Sequence, residues 1–340
     1  YFIIFLILYS FIQFSITNDN TQFSRFFYFT LYSLISSLFI AVKVKDTQKL
    51  LSYILIAVSI QSVILIYVFF NPSFKFILDQ YIVYSGNFTV EDLYRSFGLS
   101  TQTGAVLSLT QSFGVGAGLI LSKYKNNFFI TSAIIICFLS TFFVGRTGVL
   151  ISLIFFGAYL YHTISFKNII NISLIIIFLS LFTSTIINKF TSSLDSITGF
   201  SSEYFIGWLS EGFELKNNRT VEALASVQKI PELTVQNFFI GSGTISDGNG
   251  GNSSGHDSGF IQTYYSIGLI LTVLFYFSFS FFIFQNFKVL NEKKIMFCIC
   301  VIILVLELKE PMLFKYSEGF IMLSILFSMK LEKINKIKII

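Results

Sequence analysis

Leu50-Leu-Ser-Tyr-Ile-Leu-Ile-Ala-Val-Ser-Ile-Gln-Ser-Val-Ile-Leu-Ile-Tyr-Val-Phe-Phe70 is an apolar run without a single charge, preceded by Lys43, Lys45 and Lys49. Crossing the hydrocarbon of a bilayer takes about 17–25 such residues in a helix. A helix is the form in which one segment satisfies all its own backbone polar groups. Working outward, comparable runs fall at roughly 1–16, 26–42, 99–121, 128–144, 147–165, 169–187, 258–287, 295–306 and 312–329. The stretch 295–306 is short, and 258–287 is long enough to tilt or to begin outside the bilayer. The expectation is an all-α, polytopic helical membrane protein with about ten transmembrane helices. It would be a single integral membrane domain over 1–340, with no separable soluble part.

The composition agrees. Of the 340 residues, 54% are hydrophobic and 12% charged, with a mean hydropathy of +0.75. No soluble globular domain has that balance. The chain opens at Tyr1, inside an apolar run, which suits a protein whose N-terminus lies further upstream; the first helix itself would direct insertion. The three cysteines, Cys137, Cys298 and Cys300, all lie in apolar runs, so neither a disulfide nor a metal site is expected.

Lysines set the orientation. Thirteen of them lie on one set of alternate loops and at the C-terminus, for example Lys43, Lys123, Lys167, Lys293 and Lys333, with only Asp46, Glu292 and Glu332 as acids beside them. The positive-inside rule places these loops and both termini in the cytoplasm. The net charge of +5 reflects these loops and is no nucleic-acid signal. On the other face lie a medium loop, about 71–98, and a long polar loop, about 188–257. The long loop carries apolar residues at helical spacing over about 219–236. The glycine- and asparagine-rich stretch from Gly241 to Gly255 that follows must be irregular.

All four arginines, Arg25, Arg95, Arg146 and Arg219, fall on that outer face. A guanidinium stays charged and can donate two parallel hydrogen bonds to a phosphate or pyrophosphate. Arg95 precedes the fourth run; its plainer role is to snorkel to headgroups. Arg146, in Val144-Gly-Arg-Thr-Gly148, sits in a tight turn at the hydrocarbon boundary, where an arginine is costly unless paired. Its flanking glycines permit close approach of backbone or ligand, and an ion pair with a loop acid is the plainer reading. Arg219 opens the loop helix, where an ordinary solvated arginine would also fit.

His256 and Asp257 stand where the long loop returns to the membrane, and either is a candidate general base. Asp257 also suits the N-cap of the eighth run. Glu307, Lys309, Glu310, Lys315 and Glu318 surround the last outer turn. A self-paired ion network is the simplest account, although Lys315 and Glu318 inside an apolar helix hint at a polar cavity. There is no phosphate-binding loop, dinucleotide fingerprint, zinc spacing or nucleophile elbow. An enzyme built this way would need no metal or cofactor and would draw its energy from an activated substrate.

Four stretches carry a family resemblance: Tyr94-Arg-Ser-Phe-Gly-Leu-Ser-Thr-Gln-Thr-Gly-Ala105, Gly145-Arg-Thr-Gly148, Arg219 through Gly241-Ser-Gly243, and Asp257-Ser-Gly-Phe-Ile-Gln-Thr-Tyr-Tyr-Ser-Ile-Gly268. In order and on one side, over most of 90–290, they resemble the Wzy-type O-antigen and capsule polymerases within the polymerase/O-antigen ligase superfamily. The resemblance implies a glycosyltransferase C-like helical membrane fold with one large external loop. It also implies an undecaprenyl-pyrophosphate-linked glycan as substrate, held by the outer arginines. The ligases place a histidine nine residues and one small polar position before the glycine matching Gly268. Here Asp257 fills that slot and His256 is out of register by one, which is more like the polymerases.

The expected function is therefore an inverting, metal-independent polymerase on the outer face of a bacterial inner membrane. Arg95, Arg146 and Arg219 would bind pyrophosphate, Asp257 would be the catalytic residue, and His256 a weaker candidate. Membrane lipid is an expected partner and nucleic acid is not; a working complex with flippase and chain-length regulator, or a lone chain, stays open. The alternatives are an O-antigen ligase acting on lipid A core or protein, and a polysaccharide flippase or transporter. Transporters gather charge near the membrane midplane, whereas here it gathers at the outer boundary.

Overall fold

The computed structural model describes residues 1–82, 97–100, 104–125, 127–163, 231, 233–247, 251–287 and 294–337. Among them the secondary structure is helical, apart from an isolated antiparallel bridge between Ser246 and Asn252. Among the described residues, three helices are long and apolar enough to cross a membrane: α2 (Thr21–Val44), α3 (Thr47–Phe70) and α5 (Gly104–Ser122). The remaining helices are α1 (Phe2–Thr17), α4 (Pro72–Asp79), α6 (Phe128–Phe142), α7 (Arg146–Thr163), α8 (Val235–Ile240), α9 (Gly259–Ile267), α10 (Leu269–Phe287), α11 (Lys294–Leu306) and α12 (Tyr316–Ile337). The expected run 169–187 and most of the loop helix at 219–236 lie outside the described residues.

Helix ends follow local chemistry. Asn71 caps α4 through the Phe74 amide, with Pro72 at the first helical position. Asn127 caps α6 through the Ile130 amide. Asn18 closes α1 in the left-handed conformation that asparagine tolerates. Midway along α2, residues Phe29–Ile35 are π-helical.

The chain forms two compact units, one from Tyr1–Leu50 with Asn217–Ile340, the other from Leu51–Lys216. In the first, α2 packs along α12. Phe26 and Phe29 of α2, Phe275 of α10 and Phe314 make an aromatic core with ring centroids 5.3–6.4 Å apart. Such edge-on and offset pairs add to the burial of large apolar rings. At the far end, Thr47 Oγ1 donates to Glu332 of α12 at 2.7 Å.

In the second unit, α5 is buried on nearly every side and packs closely against α6 and α7. Small residues allow this approach, as they do between helices in lipid. A Cβ on Gly148 would lie 2.5 Å from Ser108 O, and one on Gly114 would lie 2.5 Å from Val58 Cγ1. The glycines beside Arg146 therefore serve helix packing. Some polar side chains buried here pair with one another: Ser140 Oγ donates at 3.0 Å to Ser62 and lies 3.1 Å from Gln111 Oε1.

Two expectations need correction. The run 258–287 is not one long helix: it breaks at Gly268, whose φ of +79° ends α9 before α10 begins. The last run is not a helix from 312 to 329. Met312–Phe314 is a 3₁₀ turn, and α12 starts at Tyr316 and continues through Lys330 and Lys333 to Ile337.

Candidate functional site

Asp257 lies at the end of the irregular stretch that leads into α9. Ser253 N and Asp247 N donate back to Ile245 O and Gly251 O, folding the stretch on itself. Ser242 N then donates to Tyr265 O and Gly243 N to Ser266 O, which docks the loop glycines on the last turn of α9. This contact leaves no room for a side chain. A Cβ on Gly241 (φ +85°) would sit 2.6 Å from Gly268 N, and one on Gly268 would sit 2.5 Å from Phe239 C and 2.8 Å from Ile240 N. Two separated pieces of sequence, 239–243 and 265–268, thus interlock backbone to backbone. Gln13 of α1 joins them, donating to both Ile240 O and Ser266 O at 3.0 and 3.1 Å.

At the other end of α9 the carboxylate of Asp257 is exposed and accepts from Asn252 Nδ2 at 3.2 Å. The expected N-cap role is not the one it plays. Ser258 is the N-cap residue, and its hydroxyl reaches Glu307 O at 3.4 Å instead of an amide of its own helix. Asp257 is therefore left outside the helix, with its side chain turned to the loop. Gln262, one turn into α9, donates to the carbonyls of both His256 and Asp257 at 3.1 Å and fixes the backbone there. His256 is half-buried, its carbonyl also taken by Asn252 and Ser254, and its Nδ1 is buried with no hydrogen-bond partner.

Beneath this segment stands Glu307, wholly buried at the end of α11. Its backbone carbonyl accepts from Gly259 N at 2.8 Å. Its carboxyl accepts from Tyr276 Oη and from Leu313 N, each at 2.8 Å. Tyr276 Oη in turn lies 3.1 Å from Thr263 Oγ1. Burial pushes the Glu307 carboxyl up to about 7, against the lowering by those two hydrogen bonds and by Arg25. The expected ion network of the last outer turn is, at Glu307, a buried hydrogen-bonded post. Glu318, also buried, accepts from Ser317 Oγ at 2.6 Å. Across from Glu307, the Arg25 guanidinium covers the Phe314 ring at 3.9 Å from its centroid.

Arg146 is the first residue of α7, half-buried, in the second unit. A cation at a helix N-terminus opposes the helix dipole, and amides and guanidinium together there favour an anion. Arg95 and Arg219 lie outside the described residues. Among the described residues no three His, Cys, Asp or Glu side chains come together as a metal-ligand set.

The sequence marked Asp257 and His256 at the return of the long loop, and carried no reading of Gln262, Tyr276 or the part played by Glu307. The signal for Gln262 was a polar residue one turn behind the pair. Tyr276, one hydroxyl in an aromatic run, carried none. No protein-family model, curated protein or solved structure matches the chain.

Proposed function

We propose that the protein is an inverting membrane glycosyltransferase that polymerises lipid-pyrophosphate-linked oligosaccharide repeat units on the outer face of a bacterial inner membrane. The observation that carries this reading is the interlock of Gly241-Ser-Gly243 with the turn at Gly268. Two of the four stretches that resemble the polymerases form one packed piece with Asp257 at its head. A carboxylate held by Asn252 and exposed on a pinned backbone is suited to orient an acceptor hydroxyl. About ten spans, a large outer loop over 188–257 and cytoplasmic termini belong to the same reading.

In the reaction, a sugar hydroxyl of one lipid-linked unit attacks the anomeric carbon of the growing glycan. Asp257 takes the hydroxyl proton, the new glycosidic bond forms, and the bond to lipid pyrophosphate breaks. Arg95, Arg146 and Arg219 bind the pyrophosphate and stabilise the charge it gains on leaving. Electrostatic stabilisation of this kind is commonly the largest contribution to such a step.

The test is deletion of the gene and complementation with wild type, Arg146→Ala or Asp257→Ala, with surface glycan resolved on a gel. Expected is loss of the ladder with one repeat unit still on the lipid anchor, restored by wild type and by neither variant. Loss of Arg146 should slow polymerisation by ~10²–10³, the effect of removing one oxyanion donor. Polymer stranded on undecaprenyl pyrophosphate would make the protein a ligase. Lipid-linked units trapped in the cytoplasmic leaflet would make it a transporter.

A further inference from the structure

Gln22 and Arg25 stand three residues apart on α2, so they share a face of the helix. That face is the buried one, continued by Phe26 and Phe29. Gln22 is 1% exposed, and neither its amide oxygen nor its amide nitrogen has a hydrogen-bond partner. Nη1 and Nη2 of Arg25 are equally shut off from solvent and equally without a partner, although the rest of that residue keeps some exposure. Native proteins rarely leave such groups unmatched, because each loses its water and gains nothing in return.

The surrounding groups are already committed. Both Glu307 carboxyl oxygens accept, from Tyr276 and from Leu313 N. The Thr21 hydroxyl donates to Asp19 and accepts from Ile245 N, which brings the 242–247 segment to this end of α2. Phe314 covers the flat face of the guanidinium, so the in-plane edge with its two Nη groups is what remains to be matched. That edge only donates, and its fork fits the paired oxygens of a phosphate or carboxylate. The Gln22 amide needs an acceptor for its nitrogen and a donor for its oxygen. A bare anion leaves the oxygen unmatched; a neighbouring hydroxyl satisfies it.

We propose that Gln22 and Arg25 form a binding subsite for an oxyanion with a hydroxyl beside it, the group presented by a sugar phosphate or a sugar acid. Burial pushes the Glu307 carboxyl up to about 7, which reduces near neutral pH the negative charge that would repel such a ligand. The subsite stands on these two residues and not on the glycosyltransferase reading; a normal glycan ladder in the deletion strain would leave it intact.

The test uses the full chain purified in detergent. Thermal stability is followed with glucose 1-phosphate, with glucuronate and with glucose, for wild type, Gln22→Leu and Arg25→Met. Expected is stabilisation by one or both acids and not by glucose; the phosphate alone identifies a sugar phosphate, and glucuronate alone a sugar acid. The apparent affinity should fall about tenfold or more in Arg25→Met, where the fork is lost. Gln22→Leu should weaken binding while the unliganded protein melts no lower than wild type, since no hydrogen bond within the protein is removed. The proposal is overturned if neither acid stabilises, if glucose does so equally, or if the shifts survive unchanged in both variants. A lower melting point of unliganded Gln22→Leu would also overturn it, because the amide would then be holding the fold.

Discussion

Replacing Gly268 by alanine should be among the most damaging single-methyl changes in the protein. Gly268 has φ +79° and ψ 168°, a region that residues with a side chain almost never occupy. Holding alanine there costs ~1–3 kcal/mol. The added Cβ would also lie 2.5 Å from Phe239 C and 2.8 Å from Ile240 N. Those are backbone atoms at the end of α8 and cannot swing aside, so the segment must move by the better part of an ångström. That movement breaks the bonds from Ser242 N to Tyr265 O and from Gly243 N to Ser266 O, each worth about 1 kcal/mol net. Together the loss is about 3–5 kcal/mol. The assay is SDS or thermal unfolding of the detergent-purified chain beside Gly157→Ala. Gly157 lies within α7, and a Cβ there meets nothing within 4 Å, so alanine should be neutral or stabilise by up to ~1 kcal/mol. Equal stability of the two variants would refute the argument that this turn must be glycine.

Two further outcomes follow from buried contacts. With the Glu307 carboxyl pushed up from 4.5 to about 7, its contribution to stability is full below pH 4.5 and is lost as pH rises to 7, because the unfolded chain releases its proton first. Glu307→Gln should flatten that part of the stability profile, which spans on the order of 3 kcal/mol; an unchanged pH profile of unfolding would count against a buried, protonated Glu307. Gly148→Ala would place a Cβ 2.5 Å from Ser108 O, pushing α7 off α5 at a cost of about 1–3 kcal/mol, and a melting point equal to wild type would show that the helices are not so close.

Apolar runs of uniform character were legible from the chain because hydropathy over a whole helix needs no partner to be read. Thus α2, α3 and α5 fall where the runs at 26–42, 50–70 and 99–121 predict, to within a few residues at each end. The break at Gly268 was hidden inside an unbroken apolar stretch, where a glycine has no local signature until another backbone lies against it. Glu307 was read as a member of an ion network at the last outer turn for a similar reason. Its charge says solvent, and only Tyr276 and the Leu313 amide, fixed by tertiary packing, say otherwise. Asp257 was legible as the end of a loop but not as the residue before the cap, since Asp and Ser in succession both suit an N-cap. Arg25 was legible as one of four outer-face arginines and Gln22 drew no reading; the burial of both depends on chain made much later.

That separation bears on how the protein is made. Besides Tyr9 Oη one turn back, Gln13 of α1 finds its acceptors at Ile240 and Ser266, 227 and 253 positions later, and Tyr9 Oη likewise donates to Ile240 O. At ~5–20 residues per second, the ribosome needs roughly 10–50 s to deliver them. Through that interval the Gln13 amide of α1 has Tyr9 Oη within its own helix to pair with, and the bonds that dock α1 on the loop do not yet exist. The docking of α1 is therefore a late event, completed only after residues 240–266 have been made.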